Sequence, residues 1–184
     1  MEKEVIVKEA MNMKLVIVEP HLTVLEAAKL MKNKGIGNVI VVEKDLPIGI
    51  LTESDILKKV VAEGKEAKLT KVKDVMSTPV LVTDPYITLE QAMRIMGKCN
   101  IRRLPVTENG KLIGVITQKD ISWLSPTLHE ISREWYEVRK TDESYKSGQI
   151  FSGKCEDCST LSINLRNVDG RLLCEDCIDA LKYE

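Results

Sequence analysis

Apolar and polar positions between residues 15 and 56 fall into short runs and helical stripes, and the same order returns farther along the chain. The apolar run Leu15–Val18 reads as a strand that ends at a turn marked by Pro20. Thr23 and Glu26 then stand at capping-box spacing, which starts a helix. Behind them Val24, Ala27, Ala28 and Met31 recur at helical spacing, and Gly35 suits the left-handed residue that closes a helix. The runs Val39–Val42 and Ile48–Leu51 flank Lys44-Asp45 and predict a hairpin, after which a second helix begins at Thr52. The order is β-α-β-β-α.

Displaced by 65 positions, residues 7–56 lie on residues 72–121 without a gap. Val7 meets Val72, Met11 meets Met76, Pro20 meets Pro85 and Thr23 meets Thr88. Ala27 meets Ala92, Met31 meets Met96, Ile36 meets Ile101, Gly49 meets Gly114 and Asp55 meets Asp120. The second copy therefore predicts a strand at Val80–Val82 and a helix capped by Thr88 and Gln91 with the stripe Leu89, Ala92, Met93, Met96. A hairpin of Leu104–Thr107 with Leu112–Ile116 turns at Asn109-Gly110, and a second helix starts at Thr117. One copy is too small to bury its own sheet face, so two should pack sheet on sheet about a pseudo-twofold axis, leaving two clefts. The fold class expected is α/β (α+β), with domains at 1–65, 66–124, 125–149 (connector) and 150–184.

The segments Gly49-Ile50-Leu51-Thr52-Glu53-Ser54-Asp55 and Gly114-Val115-Ile116-Thr117-Gln118-Lys119-Asp120 resemble the Gly-h-h-Thr-x-x-Asp signature of CBS (cystathionine-β-synthase-type) domains. Met76–Pro79 and Arg103-Leu104-Pro105-Val106 resemble that family too, over roughly residues 5–124. The resemblance implies a Bateman module, a repeat pair that binds AMP, ADP, ATP or S-adenosylmethionine and commonly forms a homodimer. It implies that Asp55 and Asp120 hold ribose hydroxyls and that Thr52 and Thr117 contact ribose or phosphate, with Lys119 in the same set. An apolar adenine cage maps by resemblance to Leu15, Val16, Ile36 and Val39, and to Val80, Leu81, Ile101, Leu104 and Pro105.

The chemistry agrees: a carboxylate accepts both hydroxyls of a ribose, and a helix N-terminus favours phosphate. Thr-x-x-Asp at a strand-to-helix junction is equally a structural capping pair. The copies differ at Arg102-Arg103, which replace Gly37-Asn38 and read either as a phosphate clamp or as a solvated face. One cleft should accordingly prefer phosphorylated ligands and the other be weaker or empty. Cys99 aligns with Lys34 and reads as an ordinary thiol, and the methionines read as core.

Composition narrows the classes. Of 184 residues 43 % are hydrophobic and 4 % aromatic, and the net charge is -1, which argues against a stacking platform or phosphate trap for nucleic acid. No signal peptide or membrane-spanning run stands out, so a cytoplasmic protein with reduced thiols is expected. Ser125-Pro126 can open a connector helix with the stripe Leu128, Ile131, Trp135, Val138, followed by a polar boundary at Thr141–Gln149.

Cys155, Cys158, Cys174 and Cys177 stand at C-x2-C-x15-C-x2-C spacing, a metal-site signature. Four thiolates suit tetrahedral zinc, with iron the alternative, and leave no position for a catalytic water. A hairpin of Leu161–Leu165 with Arg171–Leu173 joins the pairs, and Ile178–Lys182 looks helical. A zinc-ribbon or rubredoxin-like module would continue as strand there, a treble clef as helix. Residues 150–184 carry four basic and seven acidic side chains, which disfavours nucleic acid and favours protein docking.

The leading expectation is a regulatory adenosine-nucleotide sensor acting on a protein target, with no enzymatic activity: no nucleophile–base pair or phosphate loop is visible and the histidines are only His21 and His129. Alternatives are a rubredoxin-like iron redox protein regulated by the CBS pair, and a transcription regulator.

Overall fold

The structure, a computed structural model, describes residues 4–124 and 149–181. In chain order the main elements are α1 (Val7–Ala10), β1 (Ile17–Val18), α2 (Val24–Lys34), β2 (Asn38–Glu43), β3 (Leu46–Thr52) and α3 (Glu53–Ile56), which runs on as a wider π-helical turn, Leu57–Val61. Then come β4 (Val80–Leu81), α4 (Leu89–Cys99), β5 (Arg103–Glu108), β6 (Lys111–Thr117), α5 (Gln118–Leu124), β7 (Phe151–Lys154), β8 (Leu161–Val168), β9 (Arg171–Leu173) and α6 (Glu175–Leu181). The chain divides into two compact units, Leu15–Val80 with Phe151–Glu184, and Met1–Lys14 with Leu81–Ile150.

In the first-repeat unit, β1 runs parallel to β2 and β2 antiparallel to β3, with a bulge between Val41 and Val42. Both turn residues, Lys44 and Asp45, take the positive φ that a tight two-residue hairpin requires. The Thr23 hydroxyl accepts the Glu26 N–H at 3.2 Å, and the Glu26 carboxylate accepts the Thr23 N–H at 2.9 Å. Gly35 closes α2 at φ 64°. The helix buries Val24, Ala27 and Met31 with Val39, Val41, Ile48 and Leu51 in one core. Only Ile17 and Val18 of the expected Leu15–Val18 strand pair as strand, although Val16 O still accepts the Ile40 N–H at 3.1 Å.

The opening segments of the two copies are exchanged. Val72 N–H donates to Leu22 O at 2.9 Å and Lys73 N–H to Pro20 O at 3.0 Å, within the first-repeat unit. Their counterparts in the second-repeat unit are Val7 N–H to Ile87 O at 2.9 Å and Lys8 N–H to Pro85 O at 2.8 Å. The sequence repeat thus survives as a repeat of hydrogen bonds, but each opening segment completes the other copy. Glycine permits the fit: a Cβ on Gly49 would lie 2.6 Å from Met76 Sδ, and one on Gly114 would lie 2.5 Å from Met11 Sδ.

The second-repeat unit repeats the design, with α4 capped by Thr88 and Gln91 and β5 antiparallel to β6. Its core includes the fully buried Met93, Met96, Leu104, Ile116 and Ile121. The cysteine segment belongs to the first-repeat unit, where β7, β8 and β9 are successive antiparallel neighbours and the tight turn at Asp169-Gly170 has positive φ at both residues. Helix α6 begins directly after Cys174, takes in Cys177 and runs on to Leu181, so the last cysteine pair leads into helix and not strand. The connector helix expected over Ser125–Val138 and the polar boundary after it lie outside the described residues, but for Gln149, whose side-chain amide donates to Cys99 Sγ at 3.0 Å.

Candidate functional sites

Each Thr-x-x-Asp motif sits where a hairpin's second strand turns into a helix. Thr52 N–H and Oγ1 both donate to Asp55 Oδ2, at 3.0 and 2.6 Å, and the Thr52 hydroxyl accepts the Asp55 N–H at 3.2 Å. In the second repeat the same three bonds measure 2.9, 2.6 and 3.2 Å between Thr117 and Asp120. The sequence reading of a capping pair therefore holds at both sites.

The other carboxylate oxygen separates the repeats. Asp55 Oδ1 accepts the Ser77 hydroxyl at 3.1 Å and the Lys59 ammonium at 2.9 Å, and Lys59 also donates to Val75 O at 2.8 Å. Burial pushes the Asp55 carboxyl up, but the Lys59 ammonium and the Thr52 hydroxyl and amide outweigh it and hold it below the ordinary aspartate value. At the equivalent positions the second repeat has Leu124 and Asn12, neither of which donates to Asp120. Asp120 Oδ1 accepts no hydrogen bond from the described residues. Asp55 is buried, whereas Asp120 is half-buried.

The surroundings differ in charge as well. In the second repeat Gln118 N–H donates to Arg102 O at 2.9 Å, so Arg102 adjoins the start of α5, and Arg103 pairs with Thr117 across the hairpin. Arg102 and Lys119 are exposed and Arg103 is half-buried. In the first repeat Glu53 N–H donates to Gly37 O at 3.2 Å, and the Glu53 carboxylate covers Gly37 so closely that a Cβ there would lie 2.8 Å from Oε2. A carboxylate thus occupies the ground where the second repeat places arginine. Of the residues mapped to an adenine cage, Val39 and Leu104 are fully buried, Val80, Leu81 and Pro105 are buried, and Leu15, Val16, Ile36 and Ile101 keep part of their surface exposed. Ile36 opens on a shallow groove of about 580 Å³ beside Met31, Glu53, Leu57 and Val61, which does not include Thr52 or Asp55.

The four cysteines converge, their sulfur atoms all within 4.8 Å of one another. Cys158 and Cys174 Sγ lie 3.7 Å apart, close to the roughly 3.8 Å edge of a tetrahedron with zinc–sulfur bonds of about 2.3 Å. Burial pushes the Cys155 thiol up, but the amide N–H groups of Cys158, Cys174 and Asp157 outweigh it and pull it to about 6. Cys177 is pushed up by the Cys158 and Cys174 sulfurs beside it. Four sulfurs this close cannot all ionise without a cation among them, so the donor set fits a tetrahedral thiolate metal. Around it Leu165 and Leu173 are fully buried, with Phe151, Val168 and Ile178 packed on them. The sequence reading leaves out Lys59 and Ser77. Lys59 stands four residues after Asp55, a spacing that signals an ion pair; Ser77 lies within the Met76–Pro79 motif but carries no signal of its destination.

The CBS domain profile matches residues 7–62 and 72–124, and the chain belongs to the CBS-domain family. It is a CBS-domain-pair protein, a class that is typically regulatory and senses nucleotides or related ligands. An uncharacterized protein of Methanopyrus kandleri is 37 % identical over 183 residues, covering 96 % of this chain and 92 % of its own, so the likeness extends beyond the two repeats. Among solved structures, a hexameric CBS-CP12 protein from bloom-forming cyanobacteria is 33 % identical, with a TM-score of 0.61 over 68 % of this chain and 73 % of that one. A CBS domain pair solved with 5′-methylthioadenosine and S-adenosyl-L-methionine shares the fold at 24 % identity and a TM-score of 0.61, over 66 % of this chain and 96 % of that one. No helix among the described residues is long and apolar enough to cross a membrane.

Proposed function

We propose that the chain is an adenosine-nucleotide sensor whose working site is built on the second repeat. The observation that carries this reading is the contrast between the two aspartates. Asp120 Oδ1 is open to a ribose hydroxyl, whereas Asp55 Oδ1 is engaged by Lys59 and Ser77. Arg102, Arg103 and Lys119 supply cations for a phosphorylated ligand, and Thr117 stands beside the ribose. Glu53 disfavours an anion at the first repeat. Half-buried Ile101 offers adenine an apolar contact. The solved pair that holds two adenosine ligands supports this ligand class.

In the same reading Cys155, Cys158, Cys174 and Cys177 hold one structural metal ion, zinc in preference to iron, and the module docks a protein target. Helix α6, which starts directly after Cys174 and contains Cys177, favours treble-clef geometry. The site follows no catalytic pattern, since all four metal positions are filled by protein thiolates. The protein is proposed to act as a homodimer in the cytoplasm.

Calorimetry with AMP, ADP, ATP and S-adenosylmethionine tests the sensor. Binding should weaken at least about tenfold in Asp120→Ala and stay near wild type in Asp55→Ala. Loss confined to Asp55→Ala, or no binding of any of the four by folded protein, defeats the proposal. An absorbance spectrum together with elemental analysis tells zinc from iron.

A further inference from the structure

The cysteine module does not stand apart from the first repeat. Ser152 is fully buried, and its hydroxyl donates to Pro47 O in β3. Leu161 packs against the first-repeat core, and Lys154 lies 3.8 Å from the Glu43 carboxylate. At Gly153 the approach is closer than any side chain allows: a Cβ there would lie 2.9 Å from Pro79 Cβ and 3.4 Å from Pro79 Cα.

Pro79 ends the segment that clasps Asp55. Two residues back, Ser77 exchanges backbone bonds with Ile50, at 2.9 and 3.0 Å, and gives its hydroxyl to Asp55. Between them the Thr78 hydroxyl donates to Ile48 O at 2.6 Å. One continuous set of contacts therefore runs from the cysteine hairpin through Gly153, Pro79, Thr78 and Ser77 to the Asp55 carboxylate. At its far end the module's small core contains two of the four cysteines, Cys155 and Cys174, so its hairpin rests on the sulfur cluster.

We propose that the cysteine module is a metal-dependent brace on the first repeat. With metal bound, β7 holds Pro79 and fixes Ser77 against β3 and Asp55; without it, the hairpin loosens and the Ser77–Pro79 segment is released. The metal state of one end of the chain is thereby read at the Asp55 motif. This inference rests on the metal reading above, and physically it is a local opening equilibrium that the ion biases.

Hydrogen exchange on the full-length protein tests it, with metal content measured in parallel. The reporter is the Ile50 amide, which donates to Ser77 O, and the control is the Val115 amide, which donates to Asn12 O at 3.0 Å in the second-repeat unit. Removing the metal with a chelator should speed exchange at Ile50 by about tenfold or more and leave Val115 within about twofold. Gly153→Ala should speed exchange at Ile50 while metal content stays at one ion per chain, because the added methyl meets Pro79 and leaves the sulfur cluster in place. Ile50 unchanged once the chelator has removed the metal, or unchanged in Gly153→Ala with the metal still bound, overturns the brace alone. A folded chain that takes up no metal overturns the metal reading and the metal dependence together. Equal acceleration at Ile50 and Val115 on chelation indicates general unfolding and also overturns the proposal.

Discussion

Replacing Asp55 by Ala should destabilise the protein more than replacing Asp120 by Ala, although the two aspartates end the same motif. Each substitution removes half of a capping box, a loss of about 1 kcal/mol. That loss is nearly the same at the two sites, because the threonine bonds match: 3.0 and 2.6 Å at Asp55, 2.9 and 2.6 Å at Asp120. Asp55 loses two further partners. A hydrogen bond to a charged group contributes about 1.5–3 kcal/mol, reduced here because Ser77 is exposed and its hydroxyl can turn to water. The Lys59 side chain is 41 % exposed, so its ion pair is worth only about 0.5 kcal/mol. The gap between the variants should therefore be about 1.5 kcal/mol. With a urea m-value of about 2 kcal/mol/M, the midpoint for Asp55→Ala falls about 0.7 M below that for Asp120→Ala. Far-UV circular dichroism of ligand-free protein in urea reads the difference. Equal midpoints, or a lower one for Asp120→Ala, would refute the argument that Ser77 and Lys59 engage the first carboxylate.

Three other outcomes are expected. The Asp55 carboxyl is held below its ordinary value of 3.8, so its contribution to stability is present above that pH and disappears as pH falls through the lower folded value; acid titrations of wild type and Asp55→Asn should differ near neutrality and converge only as the pH falls below 3.8. Cys155→Ser should drop bound metal well below one ion per chain and expose β8 and β9 amides to exchange, since metal binding supplies about 10–16 kcal/mol in isolated zinc fingers; unchanged metal content would exclude Cys155 as a ligand. Gly114→Ala should cost about 1–3 kcal/mol by pressing on Met11, which thermal denaturation would show, and should raise exchange at the Val115 amide before it affects Ile50.

Elements governed by local chemistry were legible in the sequence. The Thr23–Glu26 and Thr88–Gln91 boxes, the Gly35 cap and the hairpin turns depend on neighbours within a few residues, and each forms as read. The convergence of the four cysteines was legible for a similar reason, because C-x2-C spacing brings the two sulfurs of each pair close together. What could not be read depends on distant partners. Nothing in Val7 or Lys8 announces that their amides go to Ile87 and Pro85, since a repeat in sequence is silent about which copy receives its opening segment. The placing of Ser152 and Gly153 on Pro47 and Pro79 is likewise tertiary, and a small glycine–serine step in a strand looks the same with or without a neighbour. The unlike fates of Asp55 and Asp120 fall between these cases. The difference between Lys59 and Leu124 is visible once the copies are aligned, but which carboxylate oxygen it affects is a matter of geometry.

The exchange of opening segments also bears on the order of synthesis. A chain made from its N-terminus must carry residues 7–14 without their partners until Pro85 and Ile87 have been added. The first repeat has no such wait, because Pro20 and Leu22 are already made when Val72 and Lys73 appear. Residues 7–14 are therefore made before the repeat they complete and are among the later ones to find their place. Removing them should spare the neighbouring repeat and injure the one encoded farther downstream.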